Sequence, residues 1–501
     1  MSNSITEKAI SGVNWNFLNT FGTTFLSIIV GIVLARLLPP ADFGLLGMAY
    51  IFISLATVFS TLGMGPAVIR FTNLTDEHIR VATTVTFTFG LLIFFLFYIF
   101  APLISEFFKE EKLIKIIRVI SILFLLQGLS SISDSILVRR IDFKSKLFIE
   151  VSAYIAGQGI LSIVLAIMGY GVWSLVVGRL VTGAMISVLL IIKVPLKVKP
   201  LWRKKEFYEL AGFGTGASFS NLVHYAAANV DYMVIGRYGD PTALGLYTRA
   251  YNLMSMPLGQ VNNTLYNVVF STYSAIQNDY NQLKNAFLRS IRSISFLLLP
   301  VLAAMIICAK YIILGLYGYN WGGAISAFQI LCVAGLLKAT LSFSGALALA
   351  IGKVYQELWR QVVHLVILTA GALYGVRYGI EGVGWAVVAA FAWLFISQGQ
   401  LSLSILKLRW SDYFKTQIPG LINSLIISLV DIIFINLIEY SIPSVTIIIK
   451  FIILLVVSGI TLLASLIWIP ESIKGDSAGW IIDKYGRFIP SKIKTLYYRF
   501  N

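Results

Sequence analysis

The chain has 501 residues, of which 58% are hydrophobic and only 12% are charged, and its mean hydropathy is +0.84. Soluble domains carry roughly twice that charged fraction, so the composition excludes a soluble globular protein and indicates a polytopic membrane protein. The net charge of +16 does not indicate a nucleic-acid partner, because the Lys and Arg residues lie mostly in short loops between apolar segments.

Stretches of about twenty apolar residues, long enough to cross a bilayer as a helix, predict about fourteen transmembrane helices. They span roughly residues 13–37, 42–66, 81–104, 116–138, 148–168, 172–192, 210–237, 242–270, 289–314, 323–350, 356–376, 380–406, 417–438 and 445–469. The first lies in a charge-free stretch from Ala9 to Ala35, which is too long for the apolar part of a cleaved signal peptide. We therefore expect it to be retained.

Most of the 39 Lys and Arg residues fall on one side when the predicted helices alternate in direction across the membrane. Because positively charged loops stay in the cytoplasm, this bias places both termini there. Two amphipathic stretches lie outside the predicted helices. Residues 105–118 are expected to lie on the outer leaflet, and residues 471–501, rich in aromatic and basic side chains, on the inner leaflet.

No loop between the predicted helices is long enough to fold by itself. A membrane glycosyltransferase or polymerase usually gathers its catalytic groups in a sizeable extramembrane loop or domain, so the sequence disfavours an enzyme. The three histidines, His78, His224 and His364, lack the spacing of metal ligands. We expect no cofactor and no metal site.

An internal repeat appears when residues 33–49, VLARLLPPADFGLLGMA, are aligned without gaps to residues 234–250, VIGRYGDPTALGLYTRA. The matching residues include Arg36 with Arg237, Pro40 with Pro241, Gly44 with Gly245, Leu45 with Leu246, and Ala49 with Ala250. This period covers predicted helices 1 to 6 and 7 to 12. Since that number is even, both halves enter the membrane in the same direction and are related by a pseudo-twofold axis along its normal.

The predicted architecture is therefore an all-α polytopic membrane protein made of two parallel six-helix repeats and a terminal helix pair. Residues 1–205 form the first lobe and residues 206–410 the second. Residues 411–470 form the extra pair, and residues 471–501 form a cytoplasmic amphipathic tail. Transporters of this design place their substrate between the lobes and open it alternately to each side.

Predicted helices 7 and 8 carry polar residues that would be costly in lipid, which indicates a wet or protein-lined interior and a translocation pathway. These residues include Asn221, Asp231, Arg249, Asn252, Gln260 and Asn263. Asp231 and Arg249 lie at equal distances on either side of Asp240 in the turn, so they are expected at the same depth. A simple charge pair across the hairpin is an open alternative for these two residues. Predicted helix 1 adds Asn16 and Asn19, and Pro257 is a candidate hinge in predicted helix 8.

Four segments carry a resemblance to a known family. They are AISGVNWNFL, LARLLPPADFGLLGMAYIFISLATVFSTLGMGPAVIR, GYGVWSLVVGRL and NVDYMVIGRYGDPTALGLYTRAYNLMSMPLGQV. With them, nearly the whole chain resembles the oligosaccharide-flippase branch of the multidrug/oligosaccharidyl-lipid/polysaccharide exporter superfamily. It resembles most the exporters of teichuronic acid and colanic acid type.

The resemblance implies a V-shaped fold of two six-helix lobes in the bacterial cytoplasmic membrane. It also implies transport of undecaprenyl-diphosphate-linked oligosaccharide across that membrane by alternating access. The transported units would be used to build a surface polysaccharide, which is lipopolysaccharide O-antigen, capsule, exopolysaccharide or teichuronic acid. The implied partners are the lipid-linked substrate, membrane lipids, and the polysaccharide polymerase with its chain-length machinery. A proton, a sodium ion or the membrane potential drives similar proteins, and the residues do not choose among these.

A lipid-linked diphosphate needs cations in the cavity, and Arg249, Arg179 and Lys338 lie within predicted helices. Arg36 and Arg237 lie near the outer ends of predicted helices 1 and 7, where snorkelling to the interface is the simpler explanation. The candidate partners of sugar hydroxyls are Asn221, Asn252, Gln260 and Asn263, with the nearby Tyr225, Tyr232 and Tyr251. Asn16 and Asn19 of predicted helix 1 are expected to line the same pathway. The acids inside or at the start of predicted helices that could couple to an ion are Asp134, Glu150, Asp231, Glu357 and Asp431. Asp231 and Glu357 are the preferred candidates, and Asp231 is the best of them because it lies deep in predicted helix 7.

Two other functions stay open. A cation-coupled drug antiporter of the same fold would need a negatively charged cavity, which the excess of buried Arg and Lys disfavours. A membrane polymerase or ligase is disfavoured by the lack of a large external loop and by the internal repeat.

Overall fold

The computed structural model describes residues 2–60, 63–196, 200–211 and 218–468, and within these ranges every regular element is a helix. The first ten helices are α1 (Ser2–Leu37), α2 (Pro40–Ser60), α3 (Met64–Arg70), α4 (Asp76–Phe108), α5 (Lys112–Ile120), α6 (Ile122–Arg139), α7 (Phe143–Tyr154), α8 (Ser162–Ile167), α9 (Val172–Lys193) and α10 (Lys204–Ala211). A π-helical turn, Ile155–Leu161, joins α7 to α8.

The later helices are α11 (Ser218–Tyr238), α12 (Pro241–Ala275), α13 (Tyr280–Ile307), α14 (Ala309–Tyr317), α15 (Ile325–Lys338), α16 (Leu341–Ala350), α17 (Val354–Gly375), α18 (Gly379–Ile405), α19 (Trp410–Ser441) and α20 (Ile447–Trp468). Short 3-10 turns, Tyr319–Ala324 and Val376–Tyr378, precede α15 and α18. The predicted amphipathic tail, residues 471–501, lies outside the described residues.

Each of the predicted membrane-spanning stretches contains helix over most of its described residues, and the chain is a multi-pass membrane protein. Within the described residues, 11 helical segments are long and apolar enough to cross a membrane, with the α17 and α18 hairpin forming one of them. Helices α11 and α12, which carry the polar residues singled out from the sequence, are not among the 11. The number of crossings therefore remains a prediction.

The stretch expected to lie on the outer leaflet, residues 105–118, is divided between two helices. Helix α4 ends at Phe108, Lys109 takes a left-handed conformation with φ of 58°, and α5 begins at Lys112. Leu113 and Ile117 of α5 are fully buried. The amphipathic pattern is therefore confirmed, but protein covers the apolar face of α5, and the position of this segment at the outer leaflet remains a prediction.

The described chain divides into two compact units. Among the described residues, the first unit holds those up to Tyr225 and Gly236–Gly245, and the second holds Ala226–Ile235 and those from Leu246 to Trp468. Helices α11 and α12 therefore each contribute residues to both units. The predicted lobe boundary at residue 205 remains a prediction.

In the first unit, helices α4 and α6 approach so closely that their backbones touch. A Cβ atom on Gly90 would overlap the carbonyl of Phe124, and one on Gly128 would overlap the carbonyl of Thr86. The hydroxyl of Thr86 donates a hydrogen bond of 2.9 Å to the carbonyl of Gly128. Small residues and a hydroxyl at a helix crossing are typical of packing inside membranes, where apolar burial alone gives no preference for protein over lipid.

In the second unit, similar contacts join α13 to α19 and α17 to α18. A Cβ on Gly420 would meet the carbonyl of Ser295. Gly375 and Gly382 each face the carbonyl of the other, so the α17 and α18 backbones are in contact. These crossings fix the helices around the polar residues described below.

The first unit also contains a reciprocal contact between the starts of α2 and α12. A Cβ on Gly44 would overlap the carbonyl of Pro241, and a Cβ on Gly245 would overlap the carbonyl of Pro40. Each helix begins with its proline, a position that needs no backbone N–H donor. The four residues are two of the pairs that align between residues 33–49 and 234–250.

Replacing Gly44 by Ala is expected to destabilise the protein by about 1–3 kcal/mol, because a rigid backbone carbonyl and not a movable side chain occupies the space. The measurement is the free energy of unfolding of the purified protein in detergent. Gly22→Ala is the matched control, since nothing lies within 4 Å of a Cβ there. It should be neutral or slightly stabilising. Equal stability of the two variants would contradict the backbone contact.

Candidate functional site

The acidic group at the centre of the candidate site is Asp231 on α11, which is only 2% exposed. The hydroxyl of Tyr247 on α12 donates a hydrogen bond of 2.8 Å to Oδ2 of Asp231. The backbone N–H of Tyr232 donates one of 3.0 Å to Oδ1. A buried carboxyl group needs such donors, because no water replaces them in an apolar interior. All three residues belong to the second unit.

Three tyrosine rings pack around this carboxyl group. Tyr232 lies 5.8 Å from Tyr247 and 5.6 Å from Tyr251 between ring centroids, and both pairs meet edge to face. Tyr247 and Tyr251 are one helical turn apart on α12, with ring centroids separated by 6.3 Å. The rings form a continuous aromatic wall, which we call the tyrosine cluster.

Lys338, at the end of α15, lies at the far side of the tyrosine cluster. Its Nζ is 3.4 Å from the hydroxyl of Tyr251, 5.5 Å from the centroid of the Tyr251 ring and 5.2 Å from that of Phe391. No carboxylate of the described residues forms an ion pair with Lys338. The half-buried ammonium group is therefore stabilised by a phenol and two aromatic faces. The tyrosine cluster connects this cation to Asp231.

Arg249 lies on the same helix as the tyrosines but faces another ring. Its guanidinium carbon is 5.8 Å from the centroid of Tyr317, and the side chain is half-buried. The sequence predicts that Asp231 and Arg249 lie at the same height along their two helices, but this height does not determine the direction in which each side chain points. The carboxyl group takes its two hydrogen bonds from Tyr247 and from the backbone of Tyr232.

The basic candidates of the first unit have different surroundings. Arg179 is exposed, and its guanidinium carbon lies 5.6 Å from the centroid of Tyr50. Arg237 donates a hydrogen bond of 2.7 Å to the carbonyl of Phe107 at the end of α4. Such a bond satisfies a free helix carbonyl, which gives Arg237 a structural task. Arg36 is exposed.

Asn19 belongs to a charged network in the first unit that was not assembled from the sequence. It is 6% exposed and donates a hydrogen bond of 2.8 Å to Glu150. Lys146 forms ion pairs with Glu150, at 3.2 Å, and with Asp134. The spacing of four residues between Lys146 and Glu150 was a visible signal of their pairing. Their contact with Asn19 on α1 required the fold.

The remaining candidates are dispersed. Asn16 and Asn252 are exposed, Gln260 and Pro257 are half-buried, and α12 continues through Pro257. Glu357 is 8% exposed and accepts hydrogen bonds from Gln361, at 3.0 Å, and Gln398, at 3.5 Å. The side chains of Asn221 and Asn263 lie outside the described residues. The tyrosine cluster thus links Asp231 to Lys338, whereas Glu357 takes its hydrogen bonds from two glutamines.

The sequence indicated Tyr232 and Tyr251 only as partners of sugar hydroxyls, and it gave no indication of most aromatic partners of the charged groups. Tyr247, Tyr317, Tyr50 and Phe391 were not singled out, although each contacts one of the charged candidates. The only signal was the four-residue spacing of Tyr247 and Tyr251 on a helix already marked by polar residues. The other partners come from distant helices, so periodicity could not reveal them.

Comparison with known proteins identifies the family to which the chain is similar. A family model described as "Polysaccharide biosynthesis protein" matches residues 33–326. The teichuronic acid biosynthesis protein TuaB of Bacillus subtilis (strain 168) is 23% identical over 419 residues, covering 82% of this chain and 86% of the relative. The lipopolysaccharide biosynthesis protein WzxC of Escherichia coli (strain K12) is 23% identical over 361 residues, covering 70% of this chain and 72% of the relative.

Two solved structures show the fold. The lipid II flippase MurJ matches with a TM-score of 0.71 and 17% identity, over 90% of this chain and 98% of MurJ. A multidrug resistance MATE family transporter of the MOP superfamily matches with a TM-score of 0.62 and 19% identity, over 77% of this chain and 95% of the transporter. The expected all-helical membrane fold, like that of these two transporters, is therefore confirmed, while the count of fourteen helices and the repeats remain predictions.

A double-mutant cycle tests the contact between Asp231 and Tyr247. Tyr247→Phe is expected to cost about 1–3 kcal/mol of unfolding free energy, because it leaves a buried acceptor without its donor. In an Asp231→Leu background the same substitution should cost little, giving a coupling energy of about 0.5–3 kcal/mol. Tyr319→Phe, at a position 77% exposed, is the control and should change stability by less than about 0.5 kcal/mol. Additive effects of the two substitutions would refute the contact.

Proposed function

The chain belongs to the polysaccharide biosynthesis protein family, and from this membership we propose that it is a transporter, not an enzyme, that flips lipid-linked oligosaccharide across a membrane. Its relatives TuaB and WzxC are named for the biosynthesis of teichuronic acid and lipopolysaccharide. MurJ, a lipid II flippase, shares its fold. The substrate class proposed here is an undecaprenyl-diphosphate-linked oligosaccharide used for surface polysaccharide.

The observation that carries this proposal is the surroundings of Lys338. Its ammonium group is half-buried in a membrane helix, and among the described residues it contacts a phenol and two aromatic rings but forms no ion pair. A cation held in this way keeps its charge available for an anionic ligand. A diphosphate oxygen would replace the long contact of 3.4 Å to Tyr251 with a shorter, charge-assisted hydrogen bond.

Two other basic side chains are proposed to bind the diphosphate together with Lys338. Arg179 and Arg249, each with its guanidinium group against a tyrosine ring, offer planar donors that suit phosphate oxygens. The sugar hydroxyls would contact Asn16, Asn19, Asn252 and Gln260, with Asn221 and Asn263 as further candidates. Arg36 and Arg237 are proposed at the outer ends of the pathway. The carbonyl contact of Arg237 adds an anchoring role there.

The tyrosine cluster gives the proposed coupling a physical route. Protonation of Asp231 would weaken its hydrogen bond from Tyr247 and remove a negative charge from the surroundings of Lys338. The affinity of Lys338 for the diphosphate would then depend on the state of Asp231, which links proton or cation binding to alternating access. Glu357, held by two glutamines, is the second candidate. Pro257 is the proposed bending point of α12.

The proposed location is the bacterial cytoplasmic membrane with both termini in the cytoplasm. The distribution of Lys and Arg supports this orientation. The surface-polysaccharide role of the relatives supports the location. The polysaccharide polymerase and its chain-length machinery are the proposed recipients of the flipped units.

The function is tested in proteoliposomes that contain a fluorescent undecaprenyl-diphosphate oligosaccharide, scored by protection from an impermeant quencher. The wild-type protein should redistribute the lipid, and an imposed pH gradient or potential should change the rate if it supplies the drive. Lys338→Gln should lower the rate by about tenfold to a hundredfold, since a hydrogen bond to a charged group contributes about 1.5–3 kcal/mol. Lys338→Arg should keep most of the activity because it keeps the charge.

The matched control is Lys310→Gln, which removes an exposed lysine that lies 3.6 Å from Glu439. Its rate should equal that of the wild type. A wild-type rate for Lys338→Gln would remove Lys338 from the mechanism. If the wild-type protein failed to move the lipid and instead exported a cationic drug from the same vesicles, the antiporter alternative would replace the proposal.

A further inference from the structure

The hairpin of α17 and α18 contains a groove that the proposed pathway does not use. The two helices are joined by the short turn Val376–Tyr378, and Gly379 follows with φ of 75°. Because Gly375 and Gly382 bring the two backbones into contact, the larger residues beside them stand apart on either side of the crossing. The space between those residues is open.

The open groove has a volume of about 440 Å³, which lies within the roughly 300–1,000 Å³ range of small-molecule sites. Its floor is made of small residues and its walls of aromatic ones. The lining residues are Gly371, Tyr374, Gly375, Tyr378, Glu381, Gly382, Trp385 and Ala386. All of them belong to the second unit.

Three exposed aromatic side chains line this groove. Tyr374, Tyr378 and Trp385 are 61%, 64% and 57% exposed. The two tyrosine rings lie one helical turn apart with centroids 5.7 Å apart and planes inclined by 55°, and their hydroxyls are 3.3 Å apart. They form a corner with two hydroxyls together, and Trp385 stands on the other helix.

One carboxylate completes the lining. Glu381 lies in the first turn of α18 and is half-buried. Among the described residues none donates a hydrogen bond to its side chain, so both oxygens can accept from a ligand. Arg377, between the two tyrosines in sequence, has its guanidinium carbon 5.9 Å from the centroid of Tyr374.

This combination suits a pyranose ring better than the alternatives. The C–H face of a sugar stacks on a flat aromatic ring, while its hydroxyl groups donate to a carboxylate and to phenol oxygens. A quaternary ammonium also favours aromatic rings with a carboxylate, but the charge of Arg377 on Tyr374 opposes it. An acidic sugar would meet the negative charge of Glu381. Aromatic residues at a lipid interface would explain the rings but not the acceptor inside the groove.

We propose that the groove between α17 and α18 binds a neutral sugar unit of the transported oligosaccharide. This assignment rests on the proposed function, and the predicted topology places the groove on the outer side of the membrane. Glu381 and the hydroxyls of Tyr374 and Tyr378 bind the sugar hydroxyls, and Trp385 stacks on the ring. The groove holds the glycan after its lipid anchor has crossed, and so disfavours its return.

The test uses the purified full-length protein in nanodiscs and two neutral trisaccharides without lipid, maltotriose and triacetylchitotriose. Saturation-transfer NMR should detect binding of at least one of them with a dissociation constant of about millimolar. Trp385→Ala should weaken that binding by about tenfold or more, and Glu381→Gln by several-fold. Trp359→Ala, which removes a tryptophan 63% exposed near the other end of α17, should leave it unchanged.

Three results would overturn the assignment: no saturation transfer to either sugar, equal binding by the wild-type protein and Trp385→Ala, or binding of phosphocholine in place of the sugars. The flipping assay separates this inference from the proposed function. Flipping by a wild-type protein that binds neither sugar would refute the groove and leave the flippase standing. In the opposite outcome, the wild-type protein binds a sugar, Trp385→Ala abolishes this binding, and the wild-type protein does not flip the lipid. That outcome would support sugar binding in the groove and refute the flippase function.

Discussion

A charged or acidic group inside a membrane protein must be solvated by the protein, because lipid offers no hydrogen bonds. In the second unit this constraint falls on Asp231, whose carboxyl group takes its hydrogen bonds from Tyr247 and from the backbone. The same tyrosines extend to Lys338. They lie between an acid and a base, with Tyr247 donating to Asp231 and the hydroxyl of Tyr251 3.4 Å from Nζ of Lys338. Each group is stabilised while its charge can still act on a third partner.

The structure holds its basic side chains in two different ways. Lys146 is neutralised by Asp134 and Glu150, so it has little attraction left for a ligand and serves the packing of α6 and α7. Lys338 and Arg179 are instead held by aromatic faces. A ring attracts a cation without cancelling its charge or occupying all its donors. This difference, more than depth in the membrane, marks which basic residues are suited to bind a phosphate group.

The helices could be predicted from the sequence because the need for about twenty apolar residues per crossing does not depend on packing. The site could be predicted only in part. Equal distances from the turn placed Asp231 and Arg249 at one depth, but depth does not give the rotation of a helix about its axis, and that rotation turns Asp231 towards Tyr247. Likewise the apolar stripe of α5 looks the same whether it faces lipid or protein. Lys338 reaches Tyr251 from a distant helix, which no local pattern encodes.

The contact between the starts of α2 and α12 has a consequence for how such a sequence can change over time. Gly44 makes room for the carbonyl of Pro241, and Gly245 makes room for that of Pro40. A side chain added at either glycine meets a backbone atom of the other segment, and no substitution at a proline can move that carbonyl away. Neither segment can therefore vary independently at these positions. The contact therefore requires both glycines whatever residue supplies the carbonyl, and it accounts for the identity of Gly44 with Gly245 between residues 33–49 and 234–250.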